Sequence, residues 1–179
     1  MTYLRVARRL PLRMPVVFGL LLLISACASV DPDMRGELDR ELVSRAVSRA
    51  TALDARGGRV WCVPFARDAS GIEIRGNAGT WWRQAEGRFA RSRQPAMGAV
   101  MAFSATGSLP LGHVAVVSGI DSERQIRIDH ANWRRNKVSL GMTVVDVSAK
   151  NDWTRVRVES SPGSLGRVYR IDGFILPNG

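Results

Sequence analysis

Outside its first 30 residues the chain holds one cysteine, Cys62, and two histidines, His113 and His130. A thiol attacks carbonyl carbon as its thiolate, and a nearby imidazole is the usual base that generates it. A third group that fixes the imidazole ring and its tautomer completes such a site. Cys62 stands in Val60-Trp61-Cys62-Val63-Pro64-Phe65. Pro64 suits the first turn of a helix and not its interior, so a helix begins at Cys62 or just after it. Unpaired N–H groups and the helix dipole at that end favour a thiolate.

The histidines sit on segments that read as strands, His113–Val117 and Gln125–His130. Alternation puts His113, Ala115 and Val117 on one face of the first. On the second, Ile126, Ile128, His130 and Asn132 share a face, and Arg127 and Asp129 point the other way. Both imidazoles can therefore face the same side, beside a helix that starts with the thiol. Each residue also has a plainer reading. Cys62, flanked by Val63 and Phe65, can be an inert core thiol. His113 can be a satisfied core histidine, and His130 a surface residue at a strand end. A zinc site of Cys62, His113, His130 and Asp129 is a further alternative, with the parity of Asp129 against it. Cys–His chemistry itself needs neither metal nor cofactor.

Helical elements precede these strands. Met34 to Leu53 carries Leu38, Leu42, Val43, Ala46 and Ala50 at three-to-four spacing, with Asp33 as N-cap, Glu37 in the first turn and Gly57-Gly58 at the end. Asn77–Thr80 reads as a turn into a short helix, Trp81–Ala85, whose tryptophan pair puts at least one ring in the core. Beyond Pro95 the period shortens. Strands are expected at Ala99–Phe103, Val144–Val147, Arg155–Val158 and Val168–Ile175, besides the two that carry histidines. Helices first and antiparallel strands afterwards make an α+β domain, with helices packed on a small antiparallel sheet or half-barrel.

Composition narrows the function. The 179 residues are 45% hydrophobic and 23% charged, the proportions of a folded domain rather than a disordered chain. Two cysteines rule out a disulfide-stapled scaffold and a multi-finger zinc protein. The net charge of +10 points to an anionic partner. Residues 1–15 carry Arg5, Arg8, Arg9 and Arg13 without an acid, and Val16–Ile24 is apolar but too short to span a bilayer. That is the pattern of a secretory signal. Leu23-Ile24-Ser25-Ala26-Cys27 resembles the lipobox of bacterial lipoproteins, which implies cleavage before Cys27 and its lipidation. The expected organisation is signal peptide 1–26, leader and helix 27–56, and domain 57–179. Removing residues 1–26 takes four positive charges and leaves 153 residues at about +6. An exported protein meets little nucleic acid, so nucleic-acid binding loses to an anionic surface outside the cytoplasm. With Cys27 lipidated, Cys62 becomes an unmatched thiol in an oxidising compartment, which calls for a functional explanation.

Several blocks in order resemble a CHAP domain, the cysteine, histidine-dependent amidohydrolase/peptidase. They are Cys62-Val63-Pro64-Phe65-Ala66-Arg67, then Gly79-Thr80-Trp81-Trp82-Arg83-Gln84-Ala85, then Pro95–Phe103, then Gly112–Val117, and last Asp129-His130-Ala131-Asn132-Trp133. The resemblance implies a papain-like α+β fold, related to the NlpC/P60 hydrolases, that cuts peptidoglycan as an N-acetylmuramoyl-L-alanine amidase or an endopeptidase. It implies Cys62 as nucleophile and His113 as base. Many CHAP domains carry Glu two residues before Asn at the third place. This chain has His130 before Asn132, as in the NlpC/P60 relatives, with Asp129 one step earlier. Arg67, Arg83, Arg134 and Arg135 are candidates to meet acidic groups of the wall peptides. A catalytically silent wall-binding module on the same fold is the alternative. Peptidoglycan and, through the lipid, the periplasmic face of an outer membrane are the implied partners.

Overall fold

The computed structural model describes Met1 and residues 37–177. The signal at 1–26, Cys27 and the expected cap Asp33 lie outside the described residues. The first helix, α1 (Arg40–Ala55), starts later than its periodicity suggests. Asp39, not Asp33, caps it: its Oδ1 accepts from the N–H groups of Glu41 at 2.9 Å and Leu42 at 3.0 Å. Such a cap contributes about 1 kcal/mol. Glu37 and Leu38 precede the helix, and Ala46 and Ala50 are its buried residues.

The second helix, α2 (Cys62–Ser70), buries Phe65, Ala66 and Ala69, and Gly71 ends it in the left-handed conformation. A 3₁₀ turn (Ala78–Thr80) leads into α3 (Trp81–Gln84). Trp81 is fully buried, whereas Trp82 lies under the guanidinium groups of Arg91 and Arg93.

Seven strands follow: β1 (Arg91–Ser92), β2 (Val100–Phe103), β3 (His113–Ser122), β4 (Gln125–Ala131), β5 (Val138–Asp146), β6 (Arg155–Ser161) and β7 (Ser164–Ile175). All pairings are antiparallel, in the order β1-β7-β2-β3-β4-β5-β6, with β6 paired back onto β7. β2 to β7 thus close a six-stranded barrel instead of the expected half-barrel, and closure removes exposed strand edges. Register shifts in the pairings β2–β7, β3–β4, β4–β5 and β6–β7 bend the sheet enough to close. β7 pairs with β6 up to Arg170 and with β2 from Ile171 on; at Gly173 (φ 142°), beside the register shift, a Cβ would stand 2.6 Å from the Trp82 ring and 2.7 Å from the Ser92 carbonyl. Strand β1 and the first half of β5 carry too little apolar signal to be read beforehand.

Two apolar layers use the two faces of one wall. Met101, Phe103, Ala115, Val117, Ile126, Ile128, Met142 and Val144 pack together inside the barrel. On the outer face Val100, Ala102, Val114, Val116 and Ala131 meet Phe65, Ala66 and Ala69 of α2, together with Ala46 and Ala50 of α1. This double burial is why β2 and the start of β3 read as unbroken apolar runs. Each Val, Ile, Met or Phe among them, fully buried, contributes about 1.5–3 kcal/mol.

Candidate active site

Cys62 is the first residue of α2. Trp61 ahead of it is extended (φ −125°) and gives no side-chain cap. The first-turn N–H groups, which no helix can pair internally, are therefore left without a side-chain acceptor. The thiol is half-buried. Burial pushes its pKa up from the ordinary value, against the opposing pull of the N–H groups of Val114, Val63 and Cys62 itself. The helix start alone suggested a thiolate. Packing of α2 against β3 removes water from the sulfur and outweighs the dipole, so the resting group is a thiol.

A loop-to-loop contact fixes where β3 begins. Gly112 has φ 66°, and a Cβ on it would stand 2.5 Å from both N and Cα of Gly79, whose N–H donates to the Leu111 carbonyl at 2.8 Å. Only glycine at 112 permits that approach. The contact draws the 3₁₀ turn against the start of β3, directly before His113.

His113 and His130 meet on the inner face of the barrel. Val117 pairs with Ile128 across β3 and β4, and His113 Nε2 lies 3.0 Å from His130 Nδ1. The rings cross at 79°, and Trp133 and Phe103 pack on His113 at centroid distances of 5.0 and 5.5 Å. His130 is fully buried, with Nε2 3.2 Å from the Sδ of Met142. Burial lowers both imidazoles: His113 well below the ordinary value, with His130 adding to it, and His130 to about 3, with Arg134 adding to it. Both rings are neutral at neutral pH.

Asp129 lies on the opposite face of β4. Its Oδ1 accepts from Ser118 Oγ at 2.8 Å and from the N–H of Gly141 at 2.7 Å. Between Ile128↔Met142 and His130↔Ser139 the β5 strand carries one extra residue. Asp129 holds that bulge, and the bulge seats Met142 under His130. The zinc reading fails on the same geometry. Both nitrogens of His130 are engaged, Asp129 faces away, and among the described residues no three His, Cys, Asp or Glu side chains form a metal-ligand set.

Asn132 does not continue the alternation of β4. It has φ 61° and stands just beyond the strand, and its Oδ1 accepts from the Asn136 N–H at 2.9 Å. Asn136, which sequence reasoning missed, reaches back to the α1–α2 linker. Its Oδ1 accepts from the Val60 N–H at 2.8 Å, and its Nδ2 donates to Asp54 and to the Gly58 carbonyl. The turn after β4 thereby anchors the segment that delivers Cys62.

Cys62, His113 and Asn132 line one open cleft of ≈ 540 Å³, walled by Trp61, Leu109, Pro110 and Leu111. His113 Nε2 is taken by His130, which leaves Nδ1 as its other ring nitrogen. None of Arg67, Arg83, Arg134 and Arg135 lines it. Arg67 pairs with Glu73 at 3.9 Å, and Arg134 donates to the Ser160 carbonyl. Arg59 is stacked 4.1 Å from the centroid of the exposed Trp61 ring in the cleft wall. Met142 and Asn136 had no sequence signal of their own, because each acts through a partner distant in the chain.

Compared with known families, residues 54–132 match the CHAP domain model, a span that includes Cys62, His113, His130 and Asn132. No curated protein matches the chain.

Proposed function

We propose that the protein is a peptidoglycan hydrolase that cleaves an amide bond of the wall peptides through Cys62 and His113. CHAP domains are typically hydrolases acting on peptidoglycan. The observation that carries the reading is the cleft that Cys62 and His113 line together, with His130 bonded to His113 behind it. The closed barrel under helices is compatible with a papain-like relation to the NlpC/P60 hydrolases.

In this reading His113 Nδ1 takes the thiol proton of Cys62 as sulfur attacks the amide carbonyl. The Cys62 N–H, unpaired at the start of α2, donates to the oxyanion. His113 Nδ1–H then protonates the departing amine, and the thioester remains. Water gives its proton to the same nitrogen, attacks the thioester, and the product carboxylate leaves as the thiol re-forms. His130 holds the ring of His113 through Nε2 throughout. A neutral His130 stabilises the transient imidazolium less than a carboxylate does, which agrees with a resting pair of thiol and imidazole rather than an ion pair.

Export as a lipoprotein, with Cys27 lipidated at the periplasmic face of an outer membrane, belongs to the same proposal and rests on the Ser25-Ala26-Cys27 pattern. Mass spectrometry of fragments released from purified peptidoglycan is the test. New amino and carboxyl ends at one amide bond, absent with a folded Cys62→Ala protein, support the assignment and name the bond. Equal release by Cys62→Ala refutes it. Incorporation of an alkyne fatty acid that is lost in Cys27→Ala tests the anchor.

A further inference from the structure

The catalytic scheme needs a lone pair on His113 Nδ1, yet a neutral imidazole can carry its proton on either nitrogen. Something must choose. At the far end of the pair, His130 Nε2 faces the thioether of Met142 at 3.2 Å. Met142 is buried on the inner face of β5, paired with Ile128, and the Asp129-held bulge sets its height. A thioether has no proton to give and accepts weakly. The contact is attractive only if Nε2 carries the hydrogen. The opposite tautomer would set a buried nitrogen lone pair against sulfur lone pairs, with no donor for either.

The rest follows by elimination along the chain of contacts. With its one hydrogen on Nε2, neutral His130 offers a lone pair at Nδ1. His113 Nε2, 3.0 Å away, must then donate. His113 has spent its one hydrogen there, so its Nδ1 carries the lone pair. We propose that Met142 is a positioning residue, whose thioether sets the tautomers of His130 and His113 and so keeps the Nδ1 of His113 free to accept the thiol proton. The tautomer assignment stands on geometry alone. Its consequence for turnover rests on the reading of His113 as the base.

The test uses the full chain, labelled with ¹⁵N-histidine. Only two histidines contribute, so four ring nitrogens account for the whole spectrum. In the wild type both rings should show Nε2–H with unprotonated Nδ1. Met142→Leu keeps volume and removes the acceptor. It should mix the tautomers and lower kcat about three- to thirtyfold with KM within about twofold. Met142→Gln, whose amide oxygen can accept, should recover the wild-type tautomers and most of kcat. Nδ1–H at His130 in the wild type overturns the proposal, and that measurement needs no variant to fold. Unchanged tautomers in a folded Met142→Leu protein overturn it too. Shifted tautomers with unchanged kcat uphold the role of Met142 on the pair and instead refute His113 as the base.

Discussion

β2 to β4 and the stretch from β6 to the middle of β7 belong to one barrel but obey different rules. Under the helices every residue of β2 and the first five of β3 are buried, so both faces of the wall are packed. In β6, Val156 and Val158 are buried while Arg155 and Arg157 face solvent, and in β7 Leu165 and Val168 are exposed. Both histidines lie in the doubly packed region. A base must stay within tenths of an ångström of its partner to be of use, and packing on both faces removes the freedom that one face leaves. The region packed on one face closes the barrel and seats β7.

The contrast predicts a ladder of effects. On the proposed mechanism the largest loss within the doubly packed region belongs to His113. His113→Ala should lower turnover on purified peptidoglycan by about 10²–10⁴-fold. His130→Ala should cost roughly ten- to a thousandfold. Asp129→Ala should cost less, because Asp129 reaches the site only through the β5 bulge. If Asp129→Ala proves the more damaging of the last two, the inward pair does not orient the base.

Packing comes next. Val116→Ala, in the layer under α2, removes buried methyl groups and should destabilise by about 2 kcal/mol in urea denaturation. A loss below about 0.5 kcal/mol would break the contrast. Acid should find the same region. His130 has a folded pKa of about 3 against an ordinary 6.5, so the unfolded chain binds the extra proton between those values. Stability is therefore full above the ordinary value and falls with pH below it, at up to about 1.4 kcal/mol per pH unit for this residue. Urea midpoints at pH 7 and pH 5 should show that fall, and a folded His130→Asn protein should show a shallower one. The smallest effect belongs to the other region: Val168→Ala should stay within about 0.5 kcal/mol, since its side chain is already 47% exposed.

What the sequence determined by itself is what local chemistry and periodicity carry. Pro64 marks the start of α2 at Cys62 because its ring fits only a first turn, and β2, β3 and β4 declare themselves by unbroken or alternating apolar runs. Alternation also lets His113 and His130 share one face and turns Asp129 to the other, since successive strand side chains point to opposite sides. Other features needed the tertiary fold. Closure of the barrel depends on bulges, which leave no periodic trace. α1 starts at Arg40 because the Asp39 carboxylate meets the N–H groups of Glu41 and Leu42, a cap the periodicity did not single out. The protonated resting thiol arises from water excluded between α2 and β3, a balance of burial against N–H donors that no local pattern contains. The order Met142–His130–His113 exists only because one extra residue in β5 moves a thioether under a ring twelve residues away in the chain.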